Sequence, residues 1–293
     1  MEYFLHILVI VGIYAILAMS LDVIVGYTGI PSLGHAAFSL IGAYTSSLLA
    51  LNLGVSPWLG LLAGGILASI AGVIVTFPAL RLKGDYLALA TFGFSIIAYS
   101  VAKNWVGLTR GPMGLPGIPQ FEIKLLGISF SLSKVWQYLI LVIVIAVVTY
   151  LLLSMLLRRP FGRVLKSIRE DEIASQTLGK DTPLFKLKVF MVGGFFAGIA
   201  GALYAHYITF IDPSSFTVME SITILLMVIF GGMGTLKGAV IGAFLLIVIP
   251  ESLRFVGLPS SIAAPIRQML YGLILVILMV YRPQGIIGRY KWK

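Results

Sequence analysis

The sequence predicts an all-α integral membrane protein: a multi-span helical bundle of about eight to ten segments, some short or re-entrant, with weak internal two-half symmetry. Three observations predict it. Of 293 residues, 59% are hydrophobic and 11% charged, against about 45–50% and about 25% in an average soluble domain. Apolar stretches recur from Tyr3 to Tyr281 without a long polar interval, so residues 1–293 form a single transmembrane domain. The 32 glycines suit helices that approach closely in lipid. A soluble enzyme is excluded by this balance.

In chain order the apolar stretches run 3–21, 36–53, 58–77, 86–102, 135–157, 188–206, 218–233, 238–250 and 262–281, where about 20 residues are needed to cross. The first lacks a basic n-region and a small-x-small cleavage site, so a retained first helix is expected, not a signal peptide. The stretches 36–53, 218–233 and 238–250 are short and bordered by glycines, which predicts half-helices, re-entrant segments or tightly packed interior helices. Lysine and arginine set the orientation. The interval 158–187 and the tail with Arg282, Arg289, Lys291 and Lys293 are cationic and go to the cytoplasm. Arg81 and Lys83 go there too, which leaves 103–134 outside. The N-terminus is then extracytoplasmic if every stretch crosses once, and cytoplasmic if an early one is re-entrant.

The formal net charge of +10 is explained by membrane loops, and no basic face interleaved with aromatics points to nucleic acid as a partner. Without cysteine the chain forms no disulfide and no thiolate site, and His6, His35 and His206 are too scattered to make a metal centre. Ionisable residues at membrane depth mark pathways when they are not simply helix ends that reach the interface. Asp22, His35, Asp212, Glu220, Glu251, Arg254 and Arg267 all fall at or near stretch ends.

An internal echo supports two related halves. Gly34, Ile41, Gly42, Ala43 and Tyr44 recur as Gly234, Ile241, Gly242, Ala243 and Phe244, each set preceded by a glycine-bearing turn. The breaks hold Ser32, Gly34 and His35 on one side and Gly231, Gly232, Gly234 and Thr235 on the other. Their backbone donors at half-helix N-termini make these residues the candidate translocation path, facing one another near the midplane. The charged run 161–179 predicts a short surface helix stopped by Gly179 ahead of Asp181 and Pro183.

Here a resemblance becomes specific. GRVLKSIREDEIASQTLGKDTPLFKLKVFMVGGFFAGIAGALYA, GYTGIPSLGHAAFSLIGAY, ALRLKGDYLALATFGF, TRGPMGLPGIP and FGGMGTLKGAVIGA together resemble branched-chain amino acid ABC transporter permeases. SLGHAAF and LRLKGDY resemble the LivM-type subunit more than its LivH-type partner. The resemblance implies a prokaryotic plasma membrane subunit that passes branched-chain amino acids. It also implies two ABC ATPase subunits, a second homologous LivH-type permease and an extracytoplasmic substrate-binding protein as partners. No cofactor is then bound by this chain, since ATP is used by partner subunits. In agreement, no G-x-x-x-x-G-K-S/T phosphate loop is present.

The same resemblance implies that the cytoplasmic loop within 158–187 carries a coupling helix with an EAA-x-x-x-G pattern that docks into the ATPase. On this chain the pattern falls on Ile173, Ala174, Ser175 and Gly179, with Glu172 one position early. The coupling residues are therefore Glu172, Ala174 and Gly179. Arg110, in the proline- and glycine-rich turn 109–119, is the candidate contact for the binding protein. Two alternatives stand beside this reading. One is an ion-coupled secondary carrier that uses Asp22 or Glu220; the other is an ABC permease for urea or short amides.

Overall fold

A computed structural model describes residues 2–79, 85–125, 128–131, 134–252, 269, 272–273, 276 and 284–288. The first helix, α1 (Glu2–Thr28), is apolar on all sides and from Ile13 onward is buried except at the half-buried Tyr14 and Tyr27, as expected of a helix at the centre of a bundle. At 27 residues it is about 40 Å long. It stops where Gly29 turns to φ +71°, a left-handed backbone that glycine adopts without cost.

After α1 come α2 (His35–Leu53), α3 (Pro57–Ala79) and α4 (Asp85–Asn104). The described part of the interval expected outside has secondary structure of its own. It holds α5 (Val106–Thr109), a 3-10 turn at Gly111–Met113, β1 (Leu115–Pro116) and an antiparallel hairpin of β2 (Glu122–Leu125) with β3 (Ile128–Ser131). In α6 (Val135–Arg158), Tyr138, Val142, Thr149 and Leu153 form a narrow buried stripe, while Ile140, Ile143, Val144 and Val147 are exposed. That is the pattern of a peripheral helix with its apolar back toward lipid.

Next come α7 (Pro160–Glu170), α8 (Glu172–Thr177) and α9 (Thr182–Ile208). The strand β4 (Phe210–Ile211) pairs antiparallel with β1, and a 3-10 turn at Pro213–Phe216 leads into α10 (Val218–Gly231) and α11 (Leu236–Ser252). Where α2 crosses α9, a Cβ on Gly42 would fall inside the carbonyl of Gly198. Only glycine permits that approach, and it brings α2, α3 and α9 into one tightly packed layer.

Among the described residues, six helices are long and apolar enough to cross a membrane, and α10 with α11 form a pair bent by 118°. The first eight apolar stretches thus coincide with helices, and the short 218–233 and 238–250 form the broken pair. Most of 262–281, the loop cations Arg81 and Lys83, the cations Arg254 and Arg267, and the tail cations lie outside the described residues. Three expectations are corrected. The surface helix is two helices broken at Asp171, and α9 begins at Thr182, inside the loop expected to run to 187. Asp22 does not end its helix: α1 continues to Thr28.

The two ends of the bundle are distinct. At one, Thr28 of α1 gives way to Gly29, which packs on Arg169 of α7. At the other, His6 hydrogen-bonds Tyr207 near the end of α9 at 2.8 Å, and the hydroxyl of Tyr3 donates to Glu251 of α11. The N-terminus and the α7–α8 segment therefore lie at opposite ends of α1.

Candidate functional site

The α7–α8 segment is held by local capping. Asp171 closes α7 and caps α8, its Oδ1 accepting the N–H of Ala174 at 2.9 Å. Beyond Thr177, the N–H of Gly179 donates to Gln176 O at 2.9 Å and that of Lys180 to Ser175 O at 3.1 Å. With Gly179 at φ +76° this is a Schellman stop, as the glycine predicted. Asp181 caps α9 in turn, accepting from the Leu184 N–H at 3.1 Å.

These caps decide which way the coupling residues face. Glu172 turns inward: Lys186 Nζ lies 2.6 Å from its Oε1, and the Thr182 hydroxyl donates to the same oxygen at 3.1 Å. Lys186 keeps only 6% of its side chain exposed, so this pair clamps α8 to the start of α9. Ala174 faces out, flanked by Ile173 at 66% and Leu178 at 76% exposure. The outward side thus presents Ile173, Ala174 and Leu178 among exposed polar residues, with Glu172 turned away from it.

Sequence reasoning missed Arg169. It lies four residues after the buried Leu165 on α7, and that i, i+4 spacing on the inward face was the available sign. Its guanidinium donates to the carbonyl of Gly26 in the last turn of α1, and its Nη1 sits 3.0 Å from where a Cβ on Gly234 would stand. Gly234 in turn donates its N–H to Asp22 Oδ1 at 2.7 Å. Arg169 is also the charge that acts on Asp22. The loop between α10 and α11 is therefore tied to α1 and to α7 at one point.

The loop holding Ser32 and Gly34 is tied elsewhere. The N–H of Leu33 donates to Thr91 Oγ1 at 3.0 Å, and a Cβ on Gly34 would stand 2.6 Å from the carbonyl of Thr91. Ser20 donates to Leu17 O at 2.8 Å and lies 2.8 Å from His35 Nε2. The serine proton is thereby spent, so Nε2–H of His35 is the donor. The N–H of Ala36 donates to Ser221 Oγ at 2.9 Å. Ser32 is fully buried, and its hydroxyl has no partner among the described residues.

The second break is closed by chain from beyond α11. The N–H groups of Ile286 and Ile287 donate to Phe230 O and Gly231 O, each at 3.0 Å, and Gly232 at φ +111° packs on Gly288. Thr235 Oγ1 donates to Gly232 O at 2.7 Å. His35 stands level with Ser20 and Gly234 level with Gly26, six residues or about 9 Å apart along α1. The breaks are thus staggered, not opposed. Their echo lies in the helices that follow, where Gly42 meets Gly198 of α9 and Gly242 meets Met227 of α10.

Arg110 is exposed at φ +59° between α5 and the 3-10 turn. Its interval packs at the end of the bundle opposite α7: the carbonyl of Pro119 accepts from His206 Nδ1 at 2.6 Å, so Nε2 of His206 accepts from Ser46 at 2.7 Å.

Residues 3–279 match the model of the branched-chain amino acid transport system / permease component family. Over 94% of its length the chain is 35% identical to the high-affinity branched-chain amino acid transport system permease protein LivM of Escherichia coli, covering 68% of that protein. It is 28% identical to a probable LivM permease of Methanocaldococcus jannaschii, over 94% of this chain and 90% of that one. A probable LivH permease of the same archaeon is 26% identical, over 96% and 90%.

Proposed function

Because this chain belongs to the branched-chain amino acid transport system permease family, we propose that it is a membrane subunit of an ATP-driven importer for aliphatic amino acids. The observation that carries the mechanism is the contact of Arg169 with Gly26 and Gly234. The α7–α8 segment lies in the cytoplasm, by its cationic charge, and the N-terminus lies outside. The exposed Ile173, Ala174 and Leu178 dock into an ATPase subunit. A shift of α7 on ATPase closure reaches the tip of the α10–α11 pair through Arg169, without crossing any flexible linker. Ser32, Gly34, His35 and the turn at Gly231, Gly232, Gly234 and Thr235 border the path at two depths.

The remaining partners are a second ATPase subunit, a LivH-type permease and an extracytoplasmic binding protein that meets Arg110. ATP is bound and hydrolysed by the partners, and this chain is not itself an enzyme. Co-purification and vesicle uptake test the reading. The chain is expected to bring down ATPase subunits and to move leucine only with ATP. Uptake by the chain alone under an ion gradient would replace this reading with that of a carrier.

A further inference from the structure

Two carboxylates inside the bundle keep different company. Asp22 has the N–H of Gly234 and the charge of Arg169. Glu220, in the first turn of α10, accepts a hydrogen bond from the Tyr14 hydroxyl, and no described lysine, arginine or histidine forms an ion pair with it. A carboxylate at membrane depth without a cation is costly, and such residues mark solute pathways. The helix N-terminus offsets only part of that cost.

Beside Glu220 a partly open cleft lies between α1, α2, α9 and α10, with a free space of about 20 Å³. One water-sized group fills such a space, and an ammonium group is of that size. Besides Glu220, the hydroxyl-bearing Tyr14, Ser39, Tyr204 and Ser215 border the cleft, and the Tyr14 hydroxyl is the one bonded to the carboxylate. An ammonium has three donors and no acceptor, which suits a carboxylate with a hydroxyl oxygen beside it. Leu17, Phe216 and Ile224 supply the apolar remainder, so the cleft takes the ammonium alone and the rest of the solute lies outside it.

We propose that the Glu220 cleft is the ammonium subsite of the path, binding the primary ammonium of an aliphatic amino acid in transit. This rests on the transport reading above and narrows it: urea and simple amides carry no cation and would leave Glu220 unpaired.

The test uses the assembled complex in proteoliposomes with binding protein outside and ATP inside. Radiolabelled leucine uptake is measured against isopentylamine, which keeps leucine's ammonium, and 4-methylpentanoate, which keeps its carboxylate. Isopentylamine is expected to inhibit, at concentrations that leave leucine on the binding protein, and 4-methylpentanoate is not. Glu220→Gln is expected to lower uptake roughly tenfold or more with normal ATPase co-purification, and Glu220→Asp to retain most of it. Full uptake by Glu220→Gln, or equal inhibition by both compounds, overturns the subsite.

Should Glu220→Gln fail to assemble, Ser215→Cys carries the test, since the chain has no other cysteine. Isopentylamine is expected to slow its labelling by a thiol reagent and 4-methylpentanoate to leave it unchanged; labelling that isopentylamine does not slow overturns the subsite. If wild-type vesicles show no ATP-driven leucine uptake, the transport reading falls, while the labelling result still decides the subsite.

Discussion

Asp22 Oδ1 accepts the backbone N–H of Gly234 at 2.7 Å, joining residues 212 positions apart in the chain. The bond fixes the tip of the α10–α11 pair to α1 at the place where Arg169 arrives from α7. Asp22→Ala removes the acceptor and leaves a buried N–H unpaired, at an expected cost of about 1–3 kcal/mol. Asp22→Asn keeps an acceptor but not the charge opposite Arg169. Unfolding midpoints of the purified complex should fall in the order wild type, Asp22→Asn, Asp22→Ala, and three equal midpoints would remove the latch.

Gly179 has open space around it and a left-handed backbone, so any substitution there is felt through the backbone alone. Gly179→Val should cost about 1–2 kcal/mol and reduce the amount of ATPase that co-purifies, whereas Gly179→Asn should be tolerated. Normal ATPase yield and uptake with valine would detach α8 from coupling.

Removing Glu172 strands Lys186, which is almost fully buried. Because Glu172 itself is about one-third exposed, the penalty is reduced to about 1–2 kcal/mol. Glu172→Ala should lower the unfolding midpoint, and adding Lys186→Met should restore most of the loss. Strictly additive losses in the double variant would show that the pair is not coupled.

A Cβ at Gly42 has nowhere to go, while one at Gly93 meets nothing within 4 Å. Gly42→Ala should therefore sharply reduce the yield of folded protein in membranes, and Gly93→Ala should leave it unchanged. Comparable yields of both by quantitative blotting would contradict the close crossing of α2 and α9.

Arg110 combines an exposed charge with a positive φ, and Arg110→Gly separates the two by removing the charge without straining the turn. Arg110→Glu should slow substrate delivery and alter its salt dependence more than Arg110→Gly does, because rim charges act mainly on association rate. Identical salt profiles for wild type and Arg110→Glu would exclude a binding-protein contact here.

Helix positions were legible because burial in lipid asks for long apolar runs, and that property is local to each stretch. The stop at Gly179 was legible for a similar reason, since a left-handed turn is chosen by the residue that adopts it. Tertiary structure decided the rest. α1 runs through Asp22 because the N–H of Gly234, 212 residues away, donates to its carboxylate. Asp171 splits the surface helix because its carboxylate caps α8, and Glu172 turns inward because Lys186 of α9 is there to meet it. In each case a polar side chain took the conformation that satisfied its hydrogen bonds, for Asp22 in a fully buried setting. The partners that satisfied Asp22 and Glu172 were brought near only by the folding of the whole chain.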